Sequence, residues 1–377
     1  MEAFTLITQP HELARALDAA RAQPRVAVDT EAASFHRYVD RIYLIQLTTP
    51  GGTALIDPLA LNDLAPLGAL LADPAVEKVF HDADYDLRIL DRDYGFPGRH
   101  LFDTRIAAHL VGEPAVGLAA MLEKYCGVKL SKSHQKADWS RRPLPDAMLA
   151  YAAADTRHLL ALRAALADRL QVLGRTAWAE EEFGRLESLR WTGTTADGGD
   201  AYLRLKGAKA LAPRSLAALR ELVRWRDERA AAEDKAPFRI VGNEGLVAVA
   251  RALPMMADAL ARVPTSELPA VLGRRYGDAL LGAVRTAQAL PESELPTVER
   301  GRRPPRNPDL EARIERLKAA RNRVAAELGV EPGVLCGRGT LEAVARAGPK
   351  DRAGLAQVGE LRRWQAEVLG DALLGAL

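Results

Sequence analysis

The sequence is short of the residues that staple, anchor or export a chain. It has two cysteines in 377 residues, Cys126 and Cys336, far apart and in no C-x-x-C spacing. That excludes a disulfide framework or a cysteine zinc site, and both are expected as buried thiols. No apolar run reaches the roughly eighteen residues that a membrane span needs, so no membrane partner is expected. The amino terminus has no basic stretch leading into an apolar core, the mark of a secretion signal, and the chain is expected in the cytoplasm. Nor does one sign of charge prevail: 52 Lys and Arg face 50 Asp and Glu, a net charge of +2. So mild a balance does not by itself identify a nucleic-acid protein, and any such binding has to come from local patches. What is present is globular: 48% hydrophobic and 27% charged residues, over a length that predicts two or three domains with cores of their own.

The stretch R-V-A-V-D-T-E, residues 25–31, carries the first chemical signal. Val26, Ala27 and Val28 form a short apolar run after Pro24 and read as a strand buried on both faces. Side chains alternate along a strand, so Asp29 and Glu31 project from one face, where they repel each other unless a cation lies between them. Acidic oxygens at close quarters suit hard divalent cations such as Mg²⁺ or Mn²⁺. A solvated strand end is the plainer alternative, and further ligands must decide.

Residues 42–48 read as a second strand, and a Pro-Gly-Gly turn at 50–52 leads into a third at 53–56, an antiparallel meander. The chain then alternates: a helix over 61–71, a strand over 78–81, a helix over 83–94 and a strand at 101–103, which implies parallel crossovers and a mixed sheet flanked by helices. After His81, Asp82 and Asp86 fall four apart on one helical face. Helix capping accounts for Asp82 and Asp84 better than for Asp86. A helix over 145–160 puts Tyr151 and Asp155 one turn apart, where a purely structural hydroxyl–carboxylate bond is an open alternative. Between these lies a polar, basic loop at 131–143, whose Lys132, Lys136, Arg141 and Arg142 suit phosphates, with solvated surface as the alternative reading. Trp139 reads as the anchor of that loop against the core.

The carboxyl-terminal half repeats itself. L-V-A-V-A-R-A-L-P at 246–254 recurs as L-E-A-V-A-R-A-G-P at 341–349, and G-D-A-L-L-G-A-V at 277–284 recurs as G-D-A-L-L-G-A-L at 370–377. Each copy has helical spacing and Pro or Gly breaks, as in a small bundle, and the joint at 296–306 is an extended basic linker. A charged connection from about 178 to 210, with a glycine-rich patch at 193–199, closes the first domain.

Asp29, Glu31, Asp86, Tyr151 and Asp155 together resemble the DEDD exonuclease superfamily, in the branch with Y-x-x-x-D as third motif. More closely, the chain resembles the bacterial ribonuclease D family: V-D-T-E, I-Q-L at Gln46, A-L-I-D-P at 54–58, H-x-x-x-x-D-L from His81, F-D-T at 102–104, D-W-S-x-R-P-L from Asp138, and Y-A-A-A-D. The repeats are similar to the helicase-and-ribonuclease-D C-terminal (HRDC) domain, which that family carries twice. The resemblance implies an RNase H-like mixed-sheet exonuclease domain at 1–205 and two small all-α HRDC-like bundles at 206–295 and 307–377. It implies a 3′-to-5′ exoribonuclease that releases nucleoside 5′-monophosphates with two divalent metal ions, Mg²⁺ or Mn²⁺, acting on RNA 3′ ends such as tRNA precursors.

By position, Asp29 bridges both ions, Glu31 and Asp155 complete the first site, Asp86 supports the second through water, and Tyr151 orients the attacking water. Gln46 and His81, inside shared motifs, join Lys132, Lys136, Arg141 and Arg142 as RNA contacts, although His81 at a strand end also reads as a satisfied structural histidine. A DNA exonuclease and a non-catalytic RNA-binding scaffold are the alternatives, and protein partners are not specified. A chain cut near Ala210 retains every expected ligand and is expected to keep cutting short strands.

Overall fold

The structure is a computed structural model and describes residues 4–131, 133–193, 200–297 and 307–377. A strand and a helix that the sequence reading did not assign begin it, β1 (Phe4–Ile7) and α1 (Pro10–Arg21). Proline opens α1, Glu12 accepts the Thr8 and Gln9 amides, and Leu13, Leu17 and Ala20 bury one stripe of it. The sheet continues with β2 (Arg25–Ala32), β3 (Ile42–Thr49) and β4 (Gly52–Ile56). After α2 (Ala65–Ala72) come β5 (Glu77–Phe80), α3 (Asp84–Tyr94) and β6 (Leu101–Asp103). Strand order is β1-β4-β3-β2-β5-β6. The β3–β4 pair is antiparallel while β1–β4, β2–β5 and β5–β6 are parallel, so the sheet is mixed. Central strands are apolar because both faces are covered: Val26, Ala27 and Val28 are fully buried.

Helices α4 (Thr104–Leu110), α5 (Leu118–Cys126), α6 (Asp146–Arg157), α7 (Leu159–Val172) and α8 (Thr176–Leu186) follow. The single helix expected over 145–160 is thus two, broken at His158, and α2 starts four residues later than expected. Packing of α6 on β3 and β4 sets its orientation. The Thr156 and Thr48 hydroxyls share a buried 2.7 Å hydrogen bond across that junction. Both cysteines are free, but only Cys336 is buried; Cys126 is half-exposed, against expectation.

The repeat is visible as paired helices. The first copy runs α9 (Pro213–Glu233), α10 (Pro237–Ile240), α11 (Asn243–Ala252), α12 (Ala257–Leu260) and α13 (Ala270–Ala289). The second runs α14 (Pro308–Leu328), α15 (Pro332–Leu335), α16 (Arg338–Ala347), α17 (Arg352–Ala356) and α18 (Arg363–Leu374). Arg226 and Arg321, buried at matching positions, tie each long helix to the segment after it, through Asn243 Oδ1 at 2.6 Å and the Cys336 carbonyl at 2.9 Å.

The chain forms two compact units, one of residues 4–31, 42–191 and 307–377, the other of residues 32–41 and the described part of 192–297. In the first unit the second repeat shares a core with the nuclease helices, so a cut near Ala210 retains every expected ligand but removes part of that core. Trp178 stacks on Trp364 at 4.8 Å, Glu181 accepts the Arg363 and Trp364 amides, and Glu182 accepts the Trp364 indole. Arg175 bridges the Leu110 and Leu328 carbonyls at 2.7 and 2.6 Å. Gly112, at φ +84°, lies so close to the Gly329 carbonyl that a Cβ would sit 2.1 Å from it. The basic linker's residues 298–306 and Lys132 lie outside the described residues.

Candidate active site

Three carboxylates converge where β2 meets α6. Asp29, Glu31 and Asp155 each place an oxygen within 4.8 Å of the others. Strand alternation aligns the first two, and the turn of α6 that exposes Asp155 exposes Tyr151 beside it, while Ala152, Ala153 and Thr156 turn inward. Asp86, buried in the first turn of α3, stands outside this trio and accepts a hydrogen bond from the Thr30 hydroxyl, whose residue lies between the two acids of β2.

Gathering acids under cover raises their affinity for protons. Burial, then the Asp155 charge, pushes Asp29 up to about 8. Burial and the charges of Asp29, Asp155 and Asp86 lift Glu31 well above the carboxylate range. Burial raises Asp155 to about 7 against a hydrogen bond from Tyr151, and burial with Asp29 raises Asp86 against the bond from Thr30. Each charge here is costly without a positive partner. All the donors are hard oxygens, so the residues fit divalent cations, which would remove that repulsion.

The Tyr151 phenol is itself raised, by burial first and then by Asp155, Glu31 and Asp29. A phenol that holds its proton this firmly, and donates it to Asp155, is a weak base at neutral pH. Its ring packs against His134 and Trp139 at 5.8 and 6.2 Å. Trp139 is 1% exposed and anchors its loop from below.

Asp29, Tyr151 and Asp155 line a cavity of about 460 Å³. His81, Ser131, Gln135 and the first residues of α5 complete much of its wall. The His81 Nδ1 lies 2.8 Å from the Thr104 hydroxyl, and burial pushes the ring down to about 4, so a neutral imidazole faces the cavity and brings no charge to a phosphate.

The other expected RNA contacts divide. Gln46 is fully buried in β3, a core strand, and neither polar atom of its side-chain amide has a hydrogen-bond partner among the described residues. Arg142 is exposed in part, and its guanidinium also grips Asp57 through two bonds of 2.6 and 2.8 Å and the Tyr43 and Trp139 carbonyls at 2.7 and 2.8 Å, which ties the basic loop to the end of β4. Lys136 and Arg141 are exposed, Arg141 within 3.5 Å of Asp138. The reading missed Thr30 and the Asp57–Arg142 pair; both acid and arginine stand in recognised motifs, but nothing along the chain signals that positions 85 apart meet.

Comparison with known proteins agrees with this geometry. A 3′-5′ exonuclease family model matches residues 4–171, and an HRDC domain model matches twice, at 215–284 and 311–377. The chain is 34% identical over 372 residues to ribonuclease D of Granulibacter bethesdensis, covering 98% of this chain and 91% of that protein. It is 37% identical over 294 residues to ribonuclease D of Escherichia coli, covering 78% and 77%. The crystal structure of E. coli RNase D, described as an exoribonuclease involved in structured RNA processing, superposes with a TM-score of 0.70 at 31% identity, covering 100% of this chain and 98% of that one. Matched along nearly its whole length and through both helical repeats, this chain belongs to the ribonuclease D family of 3′-to-5′ exoribonucleases.

Proposed function

We propose that the protein trims RNA 3′ ends at the cavity above β2, one nucleotide at a time, with tRNA precursors or other structured RNAs as substrates. The observation that carries this reading is the convergence of Asp29, Glu31 and Asp155 beneath a cavity that Tyr151 also lines. Asp29 would bridge two Mg²⁺ or Mn²⁺ ions, Glu31 and Asp155 would complete one site, and Asp86 would support the other. Bound there, the ions would acidify water and offset charge on the leaving 3′ oxygen.

The chain's own residues do the rest. Tyr151, hydrogen-bonded to Asp155, orients a water toward the terminal phosphorus. Attack forms a new P–O bond and breaks the bond to the preceding 3′ oxygen, which leaves with a proton, giving a nucleoside 5′-monophosphate and an RNA one residue shorter. Lys136 and Arg141, exposed on the loop at 133–143, suit contacts to the phosphates behind the terminal one. In sequence terms we assign the nuclease to 1–205 and the HRDC-like repeats to 206–295 and 307–377. Two free cysteines fit the reducing cytoplasm, where such RNAs are processed. Matched RNA and DNA strands, each 5′-labelled and digested in parallel with Mg²⁺, test the substrate class. A ladder of single-nucleotide steps on RNA with slower or no cutting of DNA is expected; preference for DNA would overturn the reading.

A further inference from the structure

The segment 32–41 leaves β2 directly after the D-x-E pair and is built into the second compact unit, against the end of α9 and the start of α10. Asp234, the left-handed cap of α9 at φ +45°, fastens it: Arg37 pairs with its carboxylate at 3.1 Å and the Tyr38 amide donates to it at 3.3 Å. The Ala236 amide donates to the His36 carbonyl at 3.3 Å, and the Arg239 guanidinium donates to the Phe35 carbonyl. So many bonds to one short segment fix its shape.

What this fixed segment presents is apolar. Phe35 and Phe238 meet edge to face at 6.2 Å, yet they are 44% and 50% exposed, and Tyr38 and Val39 beside them are 40% and 49% exposed. Large side chains of this kind, side by side in water, mark a binding surface rather than a core. Its surroundings are basic. Arg37 and Arg41 lie in the segment, Arg239 lies on α10, and Arg229, Lys235 and Arg275 surround Glu233, so that six cations stand here against Asp40, Glu233 and Asp234. Lys235 above all, with Arg229, pulls Glu233 down to about 2, so that carboxylate is committed to its neighbours.

Rigid exposed rings inside a surplus of positive charge fit a single-stranded nucleic acid: every base offers a face to stack, and the cations meet the phosphates. An acidic protein segment would use the charge but leaves the exposure of three aromatic side chains unexplained. We propose that Phe35, Tyr38 and Phe238 form a stacking platform for single-stranded RNA, made when the segment after the catalytic strand is clamped onto the first HRDC repeat. The proposal rests on the exoribonuclease reading and adds a surface in the second unit that holds single-stranded RNA.

The test uses full-length protein, metal chelated to prevent cutting, and fluorescence anisotropy with labelled single-stranded RNA of about twelve nucleotides, within the length such surfaces cover. The double variant Phe35→Ala/Phe238→Ala should bind about tenfold more weakly, the effect of losing roughly one stacked base, with the slope of log affinity against log salt unchanged because no phosphate contact is removed. Phe35→Tyr/Phe238→Tyr should restore affinity, which loss of folding or general disorder would not predict. Lys235→Ala should instead flatten the salt slope by about 0.7. Unchanged affinity in the alanine double variant would overturn the platform and leave the patch to a protein partner, as would failure of the tyrosine variant to rescue. Absence of RNA binding by the wild-type protein would overturn the exoribonuclease reading instead.

Discussion

Tyr151 offers the cleanest separation of a chemical role from a structural one. Its hydroxyl donates to Asp155 and its ring packs on Trp139, so removing one oxygen keeps the packing and loses the bond. Tyr151→Phe should lower the single-turnover rate by roughly 10² while RNA affinity stays nearly constant. Reduced affinity with an unchanged rate would make Tyr151 a packing residue. The carboxylates make a second prediction. Asp29 at about 8 and Asp155 at about 7 are raised above their unfolded values, so the folded metal-free protein binds more protons than the unfolded chain between about pH 4 and 8. Stability contributed by the protonated acids is therefore present at low pH and lost as pH rises through that window. Thermal midpoints of metal-free protein should fall from pH 5 to 8, and added Mg²⁺ or Mn²⁺ should raise the midpoint more at pH 8 than at pH 5; the opposite trend would contradict the assignment of these groups. Strand and helix periods place Asp29 with Glu31 and Tyr151 with Asp155, whereas the union of these residues with Asp86 in one site was legible only through the family resemblance. The burial of Gln46 was not legible, since whether a polar side chain in a strand meets solvent depends on what packs over it.

At the scale of elements, the loop at 133–143 is held by the Asp57–Arg142 pair. Arg142→Ala would strand a buried carboxylate. The cost should be on the order of 2 kcal/mol, below that of a fully enclosed pair because the arginine side chain is 27% exposed. Its neighbour Arg141, 75% exposed, should change stability by less than about 0.5 kcal/mol when replaced by Ala. Thermal melts of both variants check this; equal midpoints would show that the Asp57–Arg142 pair does not stabilise the fold. The sequence showed these two arginines as equivalents in one basic run, and only the partner across the fold distinguishes them. The same limit explains the helix at 145–160: its composition is helical throughout, and the break at His158 comes from how α6 and α7 pack on different strands. By contrast α1 carries legible signals, a proline start and a Leu13–Leu17–Ala20 stripe.

At the scale of the molecule, the repeats were legible as self-similarity, but their unequal placement was not. Two copies of one sequence pattern predict two like bundles, yet α18 docks on α8 through Trp178 and Trp364 while the first copy joins residues 32–41 in the other unit. Contacts of this kind depend on a few side chains outside the repeat, such as Arg175, Glu181 and Glu182. A protein ending at residue 297 should lose that cover, melt at least ~5 °C lower and aggregate more readily, since it bares Trp178 and the nuclease side of a shared core. An unchanged midpoint would mean the second repeat is dispensable for folding.

The central claim is that the carboxylate cluster, charged and cation-binding, performs the cleavage. Its most direct test is Asp29→Asn, which removes one negative charge with little change in volume. Purified wild-type and variant proteins would be incubated with 5′-labelled RNA and Mg²⁺ or Mn²⁺ and the products resolved at single-nucleotide steps, with RNA affinity measured alongside. The account predicts a ladder receding from the 3′ end for the wild type, and for the variant no detectable ladder with RNA binding and thermal midpoint retained. Cleavage at near wild-type rate by a metal-stripped and reconstituted Asp29→Asn protein would contradict it.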